Sequence, residues 1–213
     1  MEDIVSLAQI NHRITDEAQM WTFGCSITSG IGINSYEIYD SKIKEYLNLP
    51  NKNISCPGSS IIWASDQICR SDIKKNDVVI WGITSPRRTH KVNYNKLDFI
   101  LPYQIENNTE LELLNYERQY YTQYFESNTE LYDILTAIKR AKNFCNNIGA
   151  KFLAINLIFD YIGWSQYYVD DQIKAYLKND QYIDVGNDGI HPGPKQHQEF
   201  AEKFIKLYKA LYE

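Results

Sequence analysis

Apolar runs that alternate with helix-like stretches constrain this sequence more than any other feature. Residues 20–23, 77–83 and 151–159 are dominated by apolar side chains. Continuous apolar runs of this length are typical of parallel strands that are covered on both faces. In the stretches between them, apolar residues lie three and four positions apart, which is the spacing of one face of a helix. The alternation therefore predicts an α/β fold with helices on both faces of a parallel sheet.

The same spacing, together with local stop signals, sets the boundaries of the helices. We predict helices over residues 35–48, 59–70, 130–147 and 194–212. Pro50 follows the end of the first helix, and residues 147–149 form a stop signal at the end of the third. Pro194 is suited to the first turn of the last helix.

Two weaker strands complete the predicted sheet. Residues 53–56 form a short strand candidate, and residues 182–185 form another near the carboxyl terminus. We therefore expect a three-layer α/β/α sandwich with a mainly parallel, roughly five-stranded sheet. A chain of 213 residues with 44% hydrophobic residues can bury one substantial core, so we treat residues 1–213 as a single domain.

A tyrosine-rich insertion at about residues 91–130 interrupts this pattern. Tyr116, Tyr120 and Tyr124 recur at four-residue spacing, which predicts a helix over residues 110–126. Such a helix either packs its aromatic face on the domain or forms a lid or an interface. Since tyrosine is favoured at interfaces, the second interpretation includes a protein partner or self-association.

Charge and composition exclude several classes of protein. The formal net charge of −5 and the scattered basic residues argue against a nucleic-acid partner. No apolar run approaches the roughly 18–20 residues that span a bilayer. Residues 1–18 lack the apolar core of a secretion signal, so we expect a cytoplasmic protein. The four cysteines form no C-x-x-C pair, which disfavours both a disulfide framework and a metal site.

The end of the first apolar strand carries the candidate nucleophile. Ser26 lies there, and Gly30 and Gly32 follow it. Ligands of open parallel sheets bind just outside the carboxyl ends of the strands, and glycine lets the backbone approach a ligand closely. We therefore predict that Ser26 is the nucleophile. Cys25 is an alternative, but its apolar setting offers no group that would stabilise a thiolate.

Asp188 and His191 form the candidate acid–base pair. They lie three residues apart in a loop rich in glycine and proline. This spacing lets the carboxylate reach the imidazole and fix its tautomer, and the imidazole can then take a proton from a serine. Alone, His191 also fits the role of a loop-capping histidine, but its combination with Ser26 favours catalysis. We interpret the histidines at positions 12, 90 and 197 as surface or structural residues.

Acyl transfer also requires hydrogen-bond donors that are aimed at the developing oxyanion. The amide of Ser26 is one candidate. The amide of Gly58 is a second, although Gly58 on its own also fits a simple turn. The loop after the strand at 77–83 offers the hydroxyl groups of Thr84 and Ser85. We expect the amides of Ser26 and Gly58, together with a hydroxyl from Thr84 or Ser85, to form the oxyanion hole.

Other catalytic templates do not fit the sequence. Residues 24–28 do not match the G-x-S-x-G elbow of α/β-hydrolases. Residues 30–35 lack the third glycine of a dinucleotide fingerprint, and no phosphate-binding loop with Gly-Lys-Ser/Thr occurs. The serine mechanism that remains requires neither a cofactor nor a metal ion.

The motifs together resemble the SGNH (GDSL-like) hydrolase superfamily over most of the chain. Residues 23–30 resemble its first block, with Cys25 in place of the usual Asp, as in a "GCS" branch often met in phage and bacterial reading frames. Residues 57–60 resemble the second block with its oxyanion glycine, and residues 188–192 are similar to the fifth, Asp-x-x-His-Pro.

This resemblance implies a three-layer α/β/α fold of the flavodoxin-like type. It also implies a Ser nucleophile, a His base with an Asp partner, and esterase chemistry on small acyl groups that are often attached to sugars or lipids. One block departs from the pattern, because the family has Gly-x-Asn-Asp where this chain has Gly82-Ile83-Thr84-Ser85. Either Thr84 replaces the missing Asn as a weaker donor or the amides of Ser26 and Gly58 act alone. We therefore expect an activity that is reduced or absent.

The leading hypothesis is a serine esterase that acts on a small ester, such as an O-acetylated sugar or a short acyl ester. Arg87 and Arg88 are candidates to bind an anionic or sugar-bearing part of the substrate, or else are solvated surface residues. An acyltransferase with the same triad is a close alternative. A non-catalytic SGNH-like module in a phage particle or another assembly, hence a virion-associated protein, is the alternative from a different class.

Overall fold

A computed structural model describes residues 12–85, 88–93, 96–100, 129–157 and 182–213. In these residues the main sheet consists of four parallel strands, β1 (Met20–Phe23), β2 (Asn51–Asn53), β3 (Val78–Ile83) and β6 (Lys151–Asn156). Its strand order is β2-β1-β3-β6. Two further strands, β4 (Thr89–Asn93) and β5 (Lys96–Ile100), form a separate antiparallel hairpin.

The helices agree closely with the sequence-based boundaries. The described helices are α1 (Ser26–Ser29), α2 (Tyr39–Leu47), α3 (Ile61–Arg70), α4 (Thr129–Ile148) and α5 (Pro194–Tyr212), with a 3-10 turn at Ser35–Glu37. The predicted helix over 35–48 is divided into the 3-10 turn and α2. Ser60 caps α3, where its hydroxyl accepts a hydrogen bond from Trp63 N at 3.1 Å.

Strand alternation distributes the apolar side chains between two cores. Trp21, Phe23, Val79, Trp81 and Phe152 pack against α3 and α4. Met20, Val78, Ile80, Leu153 and Ile155 pack on the opposite face, against α2 and α5. Because successive side chains of a strand point to opposite faces, a sheet covered on both sides requires apolar residues at nearly every position. The predicted three-layer α/β/α arrangement is confirmed.

The strand order creates a switch point at the carboxyl ends of β1 and β3. The chain leaves β1 towards β2 on one side and later returns to form β3 on the other side. Open sheets of this kind bind ligands in the crevice where the direction of winding changes. The residues that follow β1 and β3 therefore lie at the expected position of a functional site.

A buried carboxylate joins the amino ends of the same two strands. Asp77 accepts hydrogen bonds from the backbone amides of Gln19 and Lys74 at 3.0 and 2.8 Å. It also accepts a hydrogen bond from the indole of Trp21 at 3.0 Å and forms an ion pair with Arg13 at 2.5 Å. These contacts satisfy a charge that burial alone would destabilise.

Two predicted strands differ from the structure. The second strand covers Asn51–Asn53 rather than 53–56. Its side chains are polar because Asn51 and Asn53 donate to the buried carboxylate of Asp40, at 2.8 and 2.7 Å, so hydrophobicity could not locate it. Burial raises the pKa of Asp40.

Residues 182–185 do not add a fifth strand to the sheet. Val185 forms only an isolated bridge to Pro192. The backbone turns back on itself here, since Gly186 N donates to His191 O at 2.7 Å and Gly193 N donates to Asp184 O at 2.9 Å. These backbone groups form hydrogen bonds within the loop and do not pair with a strand of the main sheet.

Part of the tyrosine-rich insertion can be compared with the prediction. The β4–β5 hairpin occupies its beginning and was not predicted, because its strands lack an apolar run. The helix predicted over 110–126 lies outside the described residues. Within the described parts of the chain, no helix combines the length and the apolar composition that a membrane span requires.

His197 is a structural residue in the core between α2 and α5. It is fully buried, and its Nδ1 accepts a hydrogen bond from the Tyr39 backbone amide at 3.3 Å. Burial lowers the pKa of His197 to about 4. Asp184 and Glu37 oppose this shift and Lys42 adds to it, but burial has the largest effect. The ring is therefore neutral in the folded protein at neutral pH.

This burial predicts a specific acid sensitivity of the fold. Between pH 6.5 and about 4, the unfolded chain protonates His197 more readily than the folded chain does, so stability falls as the pH falls. Between about pH 7 and about pH 5, the free energy of unfolding should drop by roughly 2 kcal/mol more in the wild type than in His197→Asn. Urea denaturation at the two pH values measures the difference. An equal drop in both proteins would contradict the assignment.

Candidate active site

Ser26 is the first residue of α1, directly beyond the end of β1. Its side chain is nearly buried, with 6% of the residue exposed. Its carbonyl accepts hydrogen bonds from Ser29 Oγ at 2.9 Å and from Ile31 N at 3.2 Å. The amide of Ser26 has no partner within α1 because the first amides of a helix lack intrahelical acceptors. Both its hydroxyl and its amide are thus placed at the switch point.

The segment that contains Gly58 is hydrogen-bonded to the residue two positions before Ser26. Cys56 N donates to Gly24 O at 3.0 Å, and Ser59 Oγ donates to the same oxygen at 2.9 Å. Gly58 lies between these two donors and has a φ of +80°. The loop between β2 and α3 is therefore held beside the loop between β1 and α1, as the assigned oxyanion donors require.

Thr84 follows the end of β3, the strand next to β1. The residue is 2% exposed, and its Oγ1 has no hydrogen-bond partner among the described residues. A buried hydroxyl without a partner costs about 1–3 kcal/mol, so such groups are rare unless a ligand or water satisfies them. Thr84 Oγ1 is therefore available as a donor at the carboxyl edge of the sheet.

The structure brings Asp188 and His191 into direct contact. Asp188 Oδ2 lies 2.5 Å from His191 Nδ1. Asp188 Oδ1 also accepts the backbone amides of Ile190 and His191, at 3.1 and 3.0 Å. These hydrogen bonds, first of all the one to the ring, lower the pKa of Asp188 to about 2. The carboxylate is therefore ionised at neutral pH, and it favours the tautomer of His191 that carries its proton on Nδ1.

The loop after α1 packs directly on the Asp188 loop. Asn187 N donates to Gly32 O at 2.7 Å. Gly32 has a φ of +85°, and a Cβ at this position would lie 2.7 Å from Asp188 Oδ1. The sequence indicated that Gly32 permits a close approach, but the group that approaches is the carboxylate rather than a ligand.

Ser26 and His191 do not form a direct hydrogen bond in the described structure. Both nevertheless lie at the same edge of the sheet, since the loop that follows Ser26 contacts the loop of His191 through Gly32. Catalytic hydrogen bonds are often long in unliganded enzymes and shorten when substrate binds. The triad thus stays a prediction, and the structure shows the contact between Asp188 and His191.

Three candidate residues remain, Arg87, Arg88 and Cys25, and the structure describes the last two. Arg87 lies outside the described residues. Arg88 donates its backbone amide to Ser85 O at 3.2 Å, and its Nη1 is buried without a hydrogen bond to the described residues. Cys25 is fully buried, which makes it inaccessible as a nucleophile. The described residues contain no group of three or more His, Cys, Asp or Glu side chains that could hold a metal ion.

Comparison with known proteins identifies the fold. No protein-family model and no curated protein sequence matches the chain. Among solved structures, an acetyl xylan esterase from the rumen bacterium Butyrivibrio proteoclasticus superposes with a TM-score of 0.55 at 12% identity, over 93% of this chain and 65% of that chain. The psychrotrophic esterase EstA from Pseudoalteromonas sp. superposes with a TM-score of 0.50 at 9% identity, over 91% of this chain and 100% of that chain.

A third neighbour is a G-D-S-L family protein from Desulfitobacterium hafniense, with a TM-score of 0.50 at 10% identity over 88% of this chain and 97% of that chain. The chain has the fold of these esterases. The resemblance to the SGNH hydrolases is thereby confirmed at the level of the fold. The chain spans 65% of the length of the acetyl xylan esterase and of a second carbohydrate esterase with this fold.

The close approach at Gly32 predicts a change in the acidity of Asp188. In Gly32→Ala, the new Cβ pushes the carboxylate away from His191, so the pKa of Asp188 should rise from about 2 towards its ordinary value of 3.8. Carbon-detected NMR titration of the Asp188 carboxyl measures this value.

Gly189→Ala is the matched control for this prediction. Gly189 also has a positive φ, +70°, but a Cβ there meets nothing within 4 Å. Each substitution should cost about 1–2 kcal/mol of stability because an L residue is strained at positive φ, and Gly32→Ala should cost more because its Cβ also meets the carboxylate. Only Gly32→Ala should change the pKa of Asp188, and a shift of equal size in both variants would show that the contact is unimportant.

Proposed function

We propose that the protein is a serine esterase of the SGNH type that hydrolyses a small ester. The observation that carries the proposal is the 2.5 Å contact between Asp188 and His191, in a loop that packs on the loop following Ser26. An oriented imidazole is the minimum requirement for activating a serine hydroxyl at neutral pH. The esterase fold supports the same reaction class without establishing it.

In the proposed first step, His191 Nε2 removes the proton from Ser26 Oγ as this oxygen bonds to the ester carbonyl carbon. The carbonyl oxygen becomes the oxyanion of a tetrahedral intermediate. Collapse of the intermediate breaks the bond to the alcohol oxygen, which leaves with the proton from His191. A water molecule then repeats the sequence on the acyl-enzyme, releasing the carboxylic acid and restoring Ser26.

Asp188 stabilises the imidazolium that forms in both steps. Its depressed pKa means that it stays a carboxylate throughout the reaction. It also favours the tautomer in which Nε2 is unprotonated and can accept the proton of Ser26 Oγ. Asp188 thus both orients the His191 ring and supplies the negative charge beside it.

The proposed oxyanion hole combines two amides with one hydroxyl. The amides of Ser26 and Gly58 lie on loops that are joined through Gly24 O. The hydroxyl of Thr84 takes the place of the family's Asn side chain. Because a hydroxyl is shorter and its proton rotates, we expect it to stabilise the oxyanion less well than a fixed amide.

A compact acyl group on a sugar or a small alcohol is the substrate class we favour. One structural neighbour is an acetyl xylan esterase, which makes an acetylated sugar a natural first substrate to test on this chain. Arg88, which follows β3, stays the candidate to bind a polar or anionic group of the substrate. A series of p-nitrophenyl and sugar acetates, compared with longer acyl esters, tests this choice.

Labelling with a fluorophosphonate probe tests the proposed nucleophile. The wild type should be labelled and Ser26→Ala should not. Asp188→Asn should be labelled at least about a hundredfold more slowly, because the His191 tautomer with its proton on Nδ1 is no longer favoured. Ser41→Ala, a serine variant in α2, is the control and should match the wild type. Labelling of Ser26→Ala at the wild-type rate would exclude Ser26 as the nucleophile.

One observation favours a non-catalytic module as the second candidate. The family's third-block Asn is absent, and Thr84 stands in its place. If the folded wild type is not labelled by the probe and hydrolyses none of the esters, a binding or structural role in an assembly becomes the better explanation.

Thr84→Val separates a catalytic from a structural role of the buried hydroxyl. Valine keeps the branched shape, and removing an unpartnered buried hydroxyl should leave the melting temperature unchanged or slightly higher. Turnover should fall by roughly tenfold to a hundredfold because one oxyanion donor is lost. An unchanged turnover number in a folded variant would remove Thr84 from the oxyanion hole.

A further inference from the structure

The turn that presents Ser26 cannot fix its own orientation. α1 consists of the single turn Ser26–Ser29, has no side-chain cap at Cys25 and ends at Gly30. One turn of helix does not persist alone, because nucleation fixes several residues for very few hydrogen bonds. The position of this turn, and of Ser26 with it, therefore depends on contacts from outside α1.

Two side chains supply such contacts, and both reach Thr28. The hydroxyl of Tyr39 donates to Thr28 Oγ1 at 2.9 Å. Asn53 Nδ2 donates to the backbone oxygen of Thr28 at 3.0 Å. Tyr39 and Thr28 are both completely buried.

Two glycines leave the space that the Tyr39–Thr28 pair occupies. A Cβ at Gly24 would lie 2.0 Å from Thr28 Oγ1. A Cβ at Gly82, within β3, would lie 2.7 Å from Thr28 Oγ1 and 2.7 Å from the Tyr39 hydroxyl. The pair thus rests on the backbone of the sheet at the switch point, where it has little room to move.

Tyr39 also contacts α5, the helix that follows the His191 loop. Its backbone amide donates to His197 Nδ1 at 3.3 Å. Its ring stacks on His197 and Phe204, with centroid distances of 5.8 and 5.4 Å. Tyr39 therefore contacts a residue two positions after Ser26 and a residue six positions after His191.

We infer that Tyr39 is a positioning residue that sets the distance between Ser26 and His191. It holds the Ser26 turn through Thr28 and the helix after His191 through His197 and Phe204. This inference rests on the proposed function, because it assigns the two ends of the contact to a nucleophile and its base. A displacement of about 1 Å between reacting groups can cost up to about a hundredfold in rate.

The hydrogen bond between the Tyr39 hydroxyl and Thr28 Oγ1 should persist at every pH where the protein is folded. Burial raises the pKa of the Tyr39 phenol, so the hydroxyl remains a donor. Loss of this hydroxyl should consequently lower the rate without moving the midpoint of the pH–rate profile. That combination distinguishes positioning from a direct role in proton transfer.

Tyr39→Phe tests the inference because it keeps the stacked ring and removes only the hydroxyl. We expect fluorophosphonate labelling and turnover to fall by about tenfold with an unchanged KM. Thr28→Val should reproduce the loss, Thr28→Ser should retain most of the rate, and the double variant Tyr39→Phe/Thr28→Val should be no slower than either single variant. Tyr46→Phe is the matched control. Tyr46 lies in α2, as Tyr39 does, but its hydroxyl is hydrogen-bonded to Glu213 and not to α1.

Hydrogen exchange separates this inference from the proposed function. The amides of Ser29, Gly30 and Ile31 are hydrogen-bonded within or next to α1. Their exchange should be about tenfold faster in Tyr39→Phe than in Tyr46→Phe, whether or not the protein is an esterase. An unlabelled wild type would refute the esterase proposal alone. Unchanged exchange in Tyr39→Phe, or additive rate losses in the double variant, would overturn the positioning role.

Discussion

The position of β1 between β2 and β3, buried on both faces, is the constraint on which the rest of the structure depends. Asp77 joins the amino ends of β1 and β3, and the two cores cover their faces. With both strands fixed in register, their carboxyl ends must deliver the following loops to one edge of the sheet. The polar residues of those loops lie close together because the carboxyl ends of two neighbouring parallel strands are adjacent.

The candidate site is assembled by contacts between loops rather than by any single motif. Gly24 O receives the loop of Gly58, and Gly32 O receives the loop of Asp188. Glycine is required at Gly32 because a side chain would collide with the carboxylate that orients His191. The backbone oxygens of these two glycines thus bring both loops to the residues that surround Ser26.

The elements that could be predicted from sequence are those whose signal is local. Apolar runs located β1 and β3, Pro194 marked the start of α5, and the three-residue spacing of Asp188 and His191 predicted their contact. β2 was misplaced because its asparagines are used in a polar network around Asp40. The contacts of Gly32 with Asp188 and of Tyr39 with Thr28 left no local signal that could be interpreted, since each depends on how distant segments pack.

The central claim is that Ser26 and His191 act together at the switch point. The most direct test is a crystal structure of the protein after reaction with a phosphonate ester. We predict a covalent bond from Ser26 Oγ to phosphorus, with His191 Nε2 within roughly 3.2 Å of Ser26 Oγ or a phosphonyl oxygen. The amides of Ser26 and Gly58 should lie roughly 2.7–3.1 Å from a phosphonyl oxygen. A phosphonate bound to another residue, or a His191 ring directed away from the adduct, would contradict the account.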